Sequence, residues 1–311
     1  FTVPDDTTAT GRRLAIRSDS PPANAGGTTI DVTDQNRADG FSPMSTVLTL
    51  VVGLDMEQTG VAPSTDIGAS LAADAPIVLL DTTAGERLAY WAELDAAAPD
   101  GEQLLMVHPA VALPEGHRII VALRDLRDHD GRLIPPSSAF AAALDGTPEP
   151  MARLGDLQRV REGLRRDDIG EDDLFLAWDF TVASADSLAG RALSMRAQAY
   201  AALDGAAPTF RVDGTGSADG VQTLDGTFRV PNFLSGDGSP GSTLLLDEQG
   251  LPMRNPDHPD YVASFHCVMP AAPAGPVPFV VYGHGLMGNR FEVDALSFAA
   301  QIGQMGACAT D

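Results

Sequence analysis

The sequence predicts a multidomain chain, with an all-β sandwich in its first half and the beginning of an α/β domain at its C-terminal end. Short apolar runs bounded by Asp, Gly and Pro recur through residues 1–149, as is typical of a β-sandwich. Beyond residue 150, apolar residues recur at three- and four-residue steps, which is typical of helices. The 311 residues favour two domains. We expect a β-domain over 1–149, a helix–strand–helix segment that completes or links it over 150–205, and an α/β part over 206–311.

The strands of the first part are predicted from runs rich in Val, Ile, Leu and aromatic residues. The stretch DTTAGER predicts a hairpin turn between Ile77–Leu80 and Leu88–Leu94, and the Asp-Gly pair Asp130–Gly131 predicts a second turn. Four segments contain these runs: Ser45–Asp55, Ala75–Asp95, Gln103–Pro109 and Arg118–Leu126.

One hairpin of the first part resembles a known module. The stretch PEGHRIIVALRDLRDHDGRLI, Pro114–Ile134, is similar to the closing hairpin of bacterial Ig-like domains, which implies an Ig-like sandwich for 1–149. Its Asp125, Asp128 and Asp130 suggest either a calcium loop or a solvated turn. The spacing does not fit an EF-hand, which needs a longer ligand run ending in Glu, and so it favours the solvated turn.

The linking segment predicts two helices with a strand between them. The strand, Asp172–Ser184, is expected to be the last of the β-domain, and Ser184 or Asp186 is expected to cap the second helix. The apolar stripe of the first helix consists of Met151, Leu154, Leu157, Val160 and Leu164. The apolar stripe of the second helix consists of Leu188, Ala192, Met195, Ala199 and Leu203.

The last part begins with two predicted strands, Gly226–Leu234 and Tyr261–Pro270, separated by a Gly-, Pro- and Asp-rich surface excursion, Ser235–Asp260. The apolar run Phe279–Tyr282 is of the kind that lies in a parallel sheet, and Ala307–Asp311 predicts the next strand. Between them we expect an amphipathic helix whose inner face consists of Phe291, Ala295, Phe298 and Ile302.

The glycine-rich stretch YGHGLMGN between that run and that helix resembles the loop after the third strand of α/β-hydrolases, above all of bacterial lipases and esterases. Such loops supply backbone N–H groups that stabilise the negative oxygen formed during acyl transfer. The resemblance implies that the Leu286 N–H is half of an oxyanion hole and that His284 braces the loop without acting as the catalytic base. It assigns the surrounding loop positions to Gly283, Gly285, Met287 and Gly288. The alternative is a Gly-rich turn that opens a helix in some other α/β protein.

The arrangement of sandwich, two helices and hydrolase-like strands also resembles the bacterial virulence-factor lipase N-terminal family. A serine hydrolase of this fold needs a G-x-S-x-G nucleophile motif, and the 311 residues contain none. The nucleophile, acid and base are therefore expected outside this chain, which would end before its serine and be inactive alone. Because the sequence starts on Phe and not on Met, its N-terminus is expected to be processed or incomplete.

Two functions follow as alternatives. The parent protein is expected to be a secreted or surface serine esterase or lipase that hydrolyses carboxylic esters, with this chain supplying an accessory domain and half of the oxyanion hole. The alternative is a non-catalytic surface adhesion or structural protein, with an Ig-like module and a degenerate hydrolase platform. Both interpretations place the protein outside the cell or on its surface. An ester or lipid is the expected substrate of the first.

Composition excludes other partners. The net charge is −23 and all 20 basic residues are Arg, so clustered cations for nucleic acid or anionic membrane are lacking. No window holds 18 consecutive apolar residues, so no transmembrane helix is expected. No cofactor is implied. No metal spacing relates the cysteines to any of the following histidines: His108, His117, His129, His258 and His266.

Two further expectations depend on the hydrolase resemblance. Cys267 and Cys308 fall in its second and fourth strands, which are neighbours in that fold, so a disulfide is open to them, although two buried thiols are the favoured interpretation. A sheet that stops after four strands leaves an apolar edge and face. Phe279–Tyr282 and Ala307–Ala309 are thus expected to be buried only if the C-terminal remainder of the chain or a partner covers them.

Overall fold

The computed structural model describes residues 2–146 and 154–311. The chain divides into two compact units, and the boundary in the sequence falls between Ala189 and Gly190. The described residues are mostly β, forming four sheets with few helices. In this part of the chain, no helix combines the length and apolar character needed to cross a bilayer.

The described residues of the first unit form nine strands in three sheets. A short hairpin of two strands forms a sheet of its own, and the others form sheets with the orders β3-β7-β6 and β5-β4-β8-β9. The strands are β1 Thr2–Pro4, β2 Arg12–Leu14, β3 Val47–Leu50, β4 Ile77–Asp81, β5 Glu86–Leu88, β6 Tyr90–Leu94, β7 Leu104–Pro109, β8 Arg118–Arg124 and β9 Leu174–Thr181. The helices are α1 Met56–Thr59, α2 Ser138–Leu144 and α3 Leu154–Arg166, with 3₁₀ segments at Gln35–Arg37 and Ile67–Leu71.

The two larger sheets of this unit share one apolar core. Side chains of β3, β6 and β7 on one sheet meet side chains of β4 and β8 on the other, as alternation along antiparallel strands requires. The fully buried members include Ile77, Leu79, Tyr90, Leu105, Val107, Ile119, Val121 and Leu123. The first unit is therefore compatible with the predicted all-β domain, and β9 pairs with β8 as its last described strand.

The predicted hairpin forms, but only its first half belongs to one sheet. Leu79 pairs with Leu88 across the turn, while Tyr90–Leu94 joins the other sheet by pairing with β7. The chain crosses between the sheets at Ala89, so that Leu88 and Tyr90 both face the same core from opposite sides. Apolar pattern alone could not separate these two strands, because they are contiguous in sequence.

The outer face of β5-β4-β8-β9 is covered by helices. Val160 and Leu164 of α3 are buried against Ile120 and Ala122 of β8, together with Phe140 of α2. This confirms Leu157, Val160 and Leu164 of the predicted apolar stripe, whereas Met151 and the side chain of Leu154 lie outside what the structure describes. Strand β8 is thus covered on both faces.

The Asp-rich turn of this unit is closed by its own backbone. Asp128 Oδ1 accepts hydrogen bonds from the Asp130 and Arg132 N–H groups, both at 2.9 Å, and Gly131 has a φ of 75°. The backbone N–H groups of Arg132 and Asp130 hold the pKa of Asp128 below its usual value. The carboxylate that a calcium loop would use is engaged in an Asx-type turn.

The second unit is built on one mixed sheet with the order β10-β11-β12-β14-β13. Its first four strands in this order are antiparallel neighbours, and β13 runs parallel to β14. The strands are β10 Phe210–Ala218, β11 Val221–Pro231, β12 Asp260–Pro270, β13 Phe279–Tyr282 and β14 Gly306–Thr310. A 3₁₀ segment, Arg290–Leu296, and helix α5, Ser297–Gly303, connect the parallel pair. Strand β10 was not predicted, because its Gly- and Asp-containing sequence lacks an apolar run.

One face of this sheet is covered by the 3₁₀ segment and α5. Val293 and Ala300 are fully buried against Val268, Ala307 and Ala309. The predicted inner face was therefore wrong, since its four residues are all exposed: Phe291, Ala295, Phe298 and Ile302. The reason is geometric. The segment begins with a 3₁₀ period of three residues per turn, which rotates Val293 and Leu296 inward.

Helix α4, Ala185–Leu203, runs across the division between the units, and the predicted stripe on it is not buried. No residue of α4 is buried, and Leu188 is exposed. The expected cap is present, because the Ser184 hydroxyl oxygen accepts a hydrogen bond from the Ser187 N–H at 3.1 Å.

The excursion between β11 and β12 is organised by two buried asparagines. Asn232 donates to the carbonyl oxygens of Gly236 and His258, and Asn255 donates to those of Leu234 and Gly236. These bonds, at 2.9–3.1 Å, close the base of the loop from inside. The surface excursion that the sequence predicts is therefore a structured one.

Burial at the parallel edge differs from the expectation in one respect. Phe279, Val280 and Val281 of β13 are exposed, as expected of an uncovered edge. Ala307 and Ala309 are buried nonetheless, because β14 lies between β12 and β13 and under the 3₁₀ segment. That half of the expectation was wrong.

The two cysteines form a disulfide, which corrects the favoured interpretation of two free thiols. Cys267 and Cys308 lie directly opposite each other on the antiparallel strands β12 and β14, with their Cα atoms 4.1 Å apart. Such a separation is typical of the closer kind of cross-strand pair, in which side chains meet.

Candidate functional site

The candidate site is the loop that leaves the parallel strand β13. Gly285 to Gly288 form a β-turn, closed by a 2.9 Å hydrogen bond from the Gly288 N–H to the Gly285 carbonyl oxygen. Met287 has a φ of 64°, whereas Leu286 has a negative φ, which is the signature of a type II turn. The loop therefore has a defined backbone conformation.

The carboxylate of Glu292 holds this turn from the following 3₁₀ segment. Its Oε2 accepts hydrogen bonds from the Gly285 N–H at 3.2 Å and from the Tyr282 hydroxyl at 3.4 Å. Gly288 lies against the same carboxylate so closely that a Cβ there would collide with it. A glycine is therefore required at Gly288 by close approach, and its φ is not positive.

The N–H of Leu286 has no hydrogen-bond partner among the residues that the structure describes. It belongs to the first central position of the turn, and the side chains around it are open to water, with Leu286 98% and Met287 95% exposed. The structure thus offers a fixed and unpaired backbone donor at the position that the hydrolase resemblance assigns to the oxyanion hole.

His284 turns its ring toward its own loop. Its Nδ1 lies 2.9 Å from the Gly285 carbonyl oxygen, and because a carbonyl oxygen only accepts, Nδ1 is the protonated nitrogen. Gly283 and Gly285 have open space where a Cβ would be, so their role is not one of close packing.

The far side of the loop is fixed by an ion pair. The Arg290 N–H donates to Asp311 Oδ1 at 2.7 Å, and the Arg290 guanidinium contacts the same carboxylate. The backbone hydrogen bond, assisted by the guanidinium, holds the pKa of Asp311 below its ordinary value. The Arg290 side chain also lies 4.5 Å above the ring centre of Phe291.

A buried histidine anchors the 3₁₀ segment to the sheet. His266 of β12 is 5% exposed, with Nδ1 2.8 Å from Asp225 Oδ1 and Nε2 2.9 Å from Asp294 Oδ1. Burial would lower the pKa of His266, but the hydrogen bonds to Asp294 and Asp225 outweigh it and leave that pKa raised. We call these three residues the His266 clamp.

The described part of the loop presents one unpaired backbone donor, the Leu286 N–H. Within residues 2–146 and 154–311, no three His, Cys, Asp or Glu side chains are placed to hold a metal ion. His266 has both nitrogens occupied by carboxylates, so it is not available as a general base.

Comparison with known proteins gave no relative: no family model, no curated protein and no solved structure matches this chain.

Sequence reasoning identified the loop from its glycines and missed the residues that hold it. The predicted site includes neither Glu292 nor His266. Asp225 precedes His266 by 41 residues and Asp294 follows it by 28, and such separations are visible only once strands pair. One signal was available: an alternating strand pattern places His266 on the same face as Val268.

Proposed function

We propose that this chain belongs to a carboxylic-ester hydrolase and supplies one half of its oxyanion hole through the Leu286 N–H. The observation on which the proposal depends is that N–H, which is unpaired in a turn of fixed conformation directly after a parallel strand. Acyl transfer develops a negative oxygen, and preorganised backbone donors are the groups that stabilise it.

The topology of the second unit supports the same proposal. Strand β13, the loop, a helical segment and β14 form a parallel strand–helix–strand unit, which is the context that the motif requires. The resemblance makes β12 and β14 the second and fourth strands of a hydrolase sheet, which are neighbours in that fold, and these two strands are paired.

The first unit supports an accessory Ig-like module. Taken in chain order from β3, the strand orders β3-β7-β6 and β5-β4-β8-β9 are those expected for strands B-E-D and C′-C-F-G of an immunoglobulin-type sandwich, which supports this part of the proposal. A disulfide in the second unit is typical of proteins exposed to an oxidising environment, which favours a secreted or surface location.

The proposal requires a nucleophile, an acid and a base from outside these 311 residues, since no G-x-S-x-G occurs in them. The 311-residue chain alone is therefore expected to turn over no p-nitrophenyl ester and to bind no fluorophosphonate. The protein encoded by the whole gene is expected to do both.

The sharpest test removes the N–H alone. Proline is favoured at the first central position of a type II turn, so Leu286→Pro in the whole protein deletes the donor while keeping the turn. We expect kcat for the ester to fall by about 10²–10³ with KM little changed. Leu286→Ala keeps the N–H and is the matched control, with kcat near that of the wild type.

A second candidate function is supported by the exposure of the turn. Leu286 and Met287 are almost fully in water, and an oxyanion donor in water stabilises charge far less than one in a dry site. The chain would then be a non-catalytic adhesion or structural protein. Absence of turnover and of fluorophosphonate labelling in the whole protein would support this second function and exclude the first.

A further inference from the structure

The His266 clamp has a geometry that only one charge state satisfies. Asp225 and Asp294 are both in contact with water, their side chains being about half exposed, and contact with water favours the charged form of a carboxyl group. An ionised carboxylate only accepts hydrogen bonds, and a neutral imidazole has a single N–H to donate. Two nitrogens that each face a carboxylate oxygen at 2.8–2.9 Å therefore require two protons.

We propose that His266 is held as an imidazolium between Asp225 and Asp294, and that this charged bridge is a proton-dependent clamp that keeps the loop Gly283–Gly288 in place. The inference goes beyond the proposed function and stands whether or not the loop binds an oxyanion.

The clamp connects the sheet to the loop in two steps. Asp225 and His266 are directly opposite on the paired strands β11 and β12, so this end is rigid. Asp294 belongs to the 3₁₀ segment, whose Glu292 bonds the Gly285 N–H. Holding Asp294 therefore holds Glu292, and through it the turn.

No other charge in the neighbouring elements competes for His266. Of the elements packed against β12, strand β14 and helix α5 have no titratable side chain, and β11 and the 3₁₀ segment present Asp225 and Asp294. Strand β11 also carries Arg229, which is opposite Val262 and so lies four positions along the strand from the Asp225–His266 pair. The ring of Phe291 lies 4.9 Å from the imidazole and shields it from water. Arg290 and Glu292 of the 3₁₀ segment are engaged by Asp311 and by the loop respectively.

When the His266 imidazolium loses a proton, the contact between His266 and Asp294 should break. One nitrogen would then present a lone pair to a carboxylate, and one of the two contacts must break. Asp225 is fixed by strand pairing on both sides, because β11 lies between β10 and β12. Asp294 lies in a seven-residue 3₁₀ segment and can turn to water.

The stability of the loop should fall as the pH rises. The pKa of His266 is raised in the folded chain, so the stabilisation of the loop is complete below about pH 6.5, the ordinary value for histidine. It is lost as the pH rises through the folded pKa. Alkaline conditions should therefore loosen the loop, and mildly acidic ones should hold it.

The test is a titration of the 311-residue chain, ¹⁵N-labelled, followed by long-range ¹H–¹⁵N spectra of the imidazoles and by amide protection factors from pH 5 to 9. We expect both ring nitrogens of His266 to be protonated at pH 7, with a midpoint above 6.5. Protection of the Gly285 and Glu292 amides should fall above that midpoint, by about tenfold for each pH unit by which the midpoint exceeds the ordinary value. Protection of the Val121 amide in the first unit should stay constant.

Two variants sharpen the result. Asp294→Asn keeps the acceptor and shape but removes the charge, and it should lower the His266 midpoint and the pH dependence of loop protection. His258→Gln removes an exposed histidine of the same unit and should change neither. A single protonated nitrogen at pH 7, a midpoint at or below 6.5, or loop protection without pH dependence would each overturn the proposal. The wild-type titration decides the matter alone if Asp294→Asn fails to fold.

Discussion

The same kind of apolar strand has opposite surroundings in the two units. In β8 every residue from Ile119 to Leu123 is 0% exposed, because the sandwich core covers one face and α2 and α3 cover the other. In β13 the similar run Phe279–Tyr282 lies at a sheet edge, and Val281 is 89% exposed. The burial of a strand therefore depends on how many layers pack around it and not on its composition.

A sheet with one covered face depends more on other connections. The second unit has its core on the side of the 3₁₀ segment and α5. The described residues there add a disulfide between β12 and β14, and the His266 clamp joins β12 to β11 and to the 3₁₀ segment. In the first unit two apolar clusters hold the central strands from both sides. The following predictions test this difference between the two units.

The largest effect is expected from removing the disulfide. Cys267 and Cys308 are 41 residues apart, and cross-linking such a loop restricts the unfolded chain by about 4 kcal/mol in the chain-entropy model. The variant Cys267→Ala/Cys308→Ala should therefore lower the free energy of unfolding of the second unit by about 3–4 kcal/mol. Urea unfolding followed by far-ultraviolet circular dichroism measures it.

An internal control is available for that experiment. Both tryptophans, Trp91 and Trp178, lie in the first unit, so tryptophan fluorescence follows that unit. The fluorescence transition should not move in the double variant. An equal shift of both transitions, or free thiols titrated in the oxidised wild type, would contradict the prediction.

The next largest difference is expected between the same substitution, Val to Ala, made in β8 and in β13. Val121→Ala removes two buried carbons from β8 and leaves a cavity, which should cost about 2–3 kcal/mol. Val281→Ala in β13 removes atoms that are already in water and should change stability by less than about 0.5 kcal/mol. Urea midpoints of the two variants, read by both probes, provide the comparison. A large loss for Val281→Ala would mean that β13 is covered in solution.

The sequence predicted elements well where a local pattern defines them. Most strands of the sandwich, α3, β13 and β14 follow from apolar runs, periodicity and turn residues, and the loop at Gly283–Gly288 follows from its glycines. Prediction from sequence failed where contacts between distant elements determine the structure. The passage of the chain between sheets at Ala89, the inward turn of Val293 and the pairing of Cys267 with Cys308 depend on which elements meet, and no local pattern encodes this.

A smaller effect is expected at the loop. Gly288→Ala places a methyl group into the Glu292 carboxylate, which should weaken the Gly285–Glu292 hydrogen bond and destabilise the second unit by about 1–2 kcal/mol. Gly283→Ala is the matched control, because a Cβ at Gly283 meets open space and its φ is not positive. Amide exchange at Gly285 measures the effect, and equal protection in both variants would refute it.

The smallest effect has opposite signs at two adjacent positions. Met287 has a left-handed φ that a side chain rarely adopts, so Met287→Gly should stabilise the turn by about 0.5 kcal/mol. Leu286→Gly should destabilise it by about as much, because glycine gains freedom in the unfolded chain without relieving strain. Neither side chain is packed, so urea midpoints report backbone effects alone. Two shifts of the same sign would exclude a type II turn.

The disulfide has a further consequence for how this chain responds to cleavage. Residues 267 to 308 form a covalently closed ring, and the exposed turn at Leu286 and Met287 lies inside it. A protease that cleaves the turn therefore produces two peptides joined by the disulfide, and until it is reduced the cleaved chain differs in mass from the intact one only by the water added in hydrolysis. Cleavage at this exposed turn therefore does not by itself separate the two fragments of the second unit.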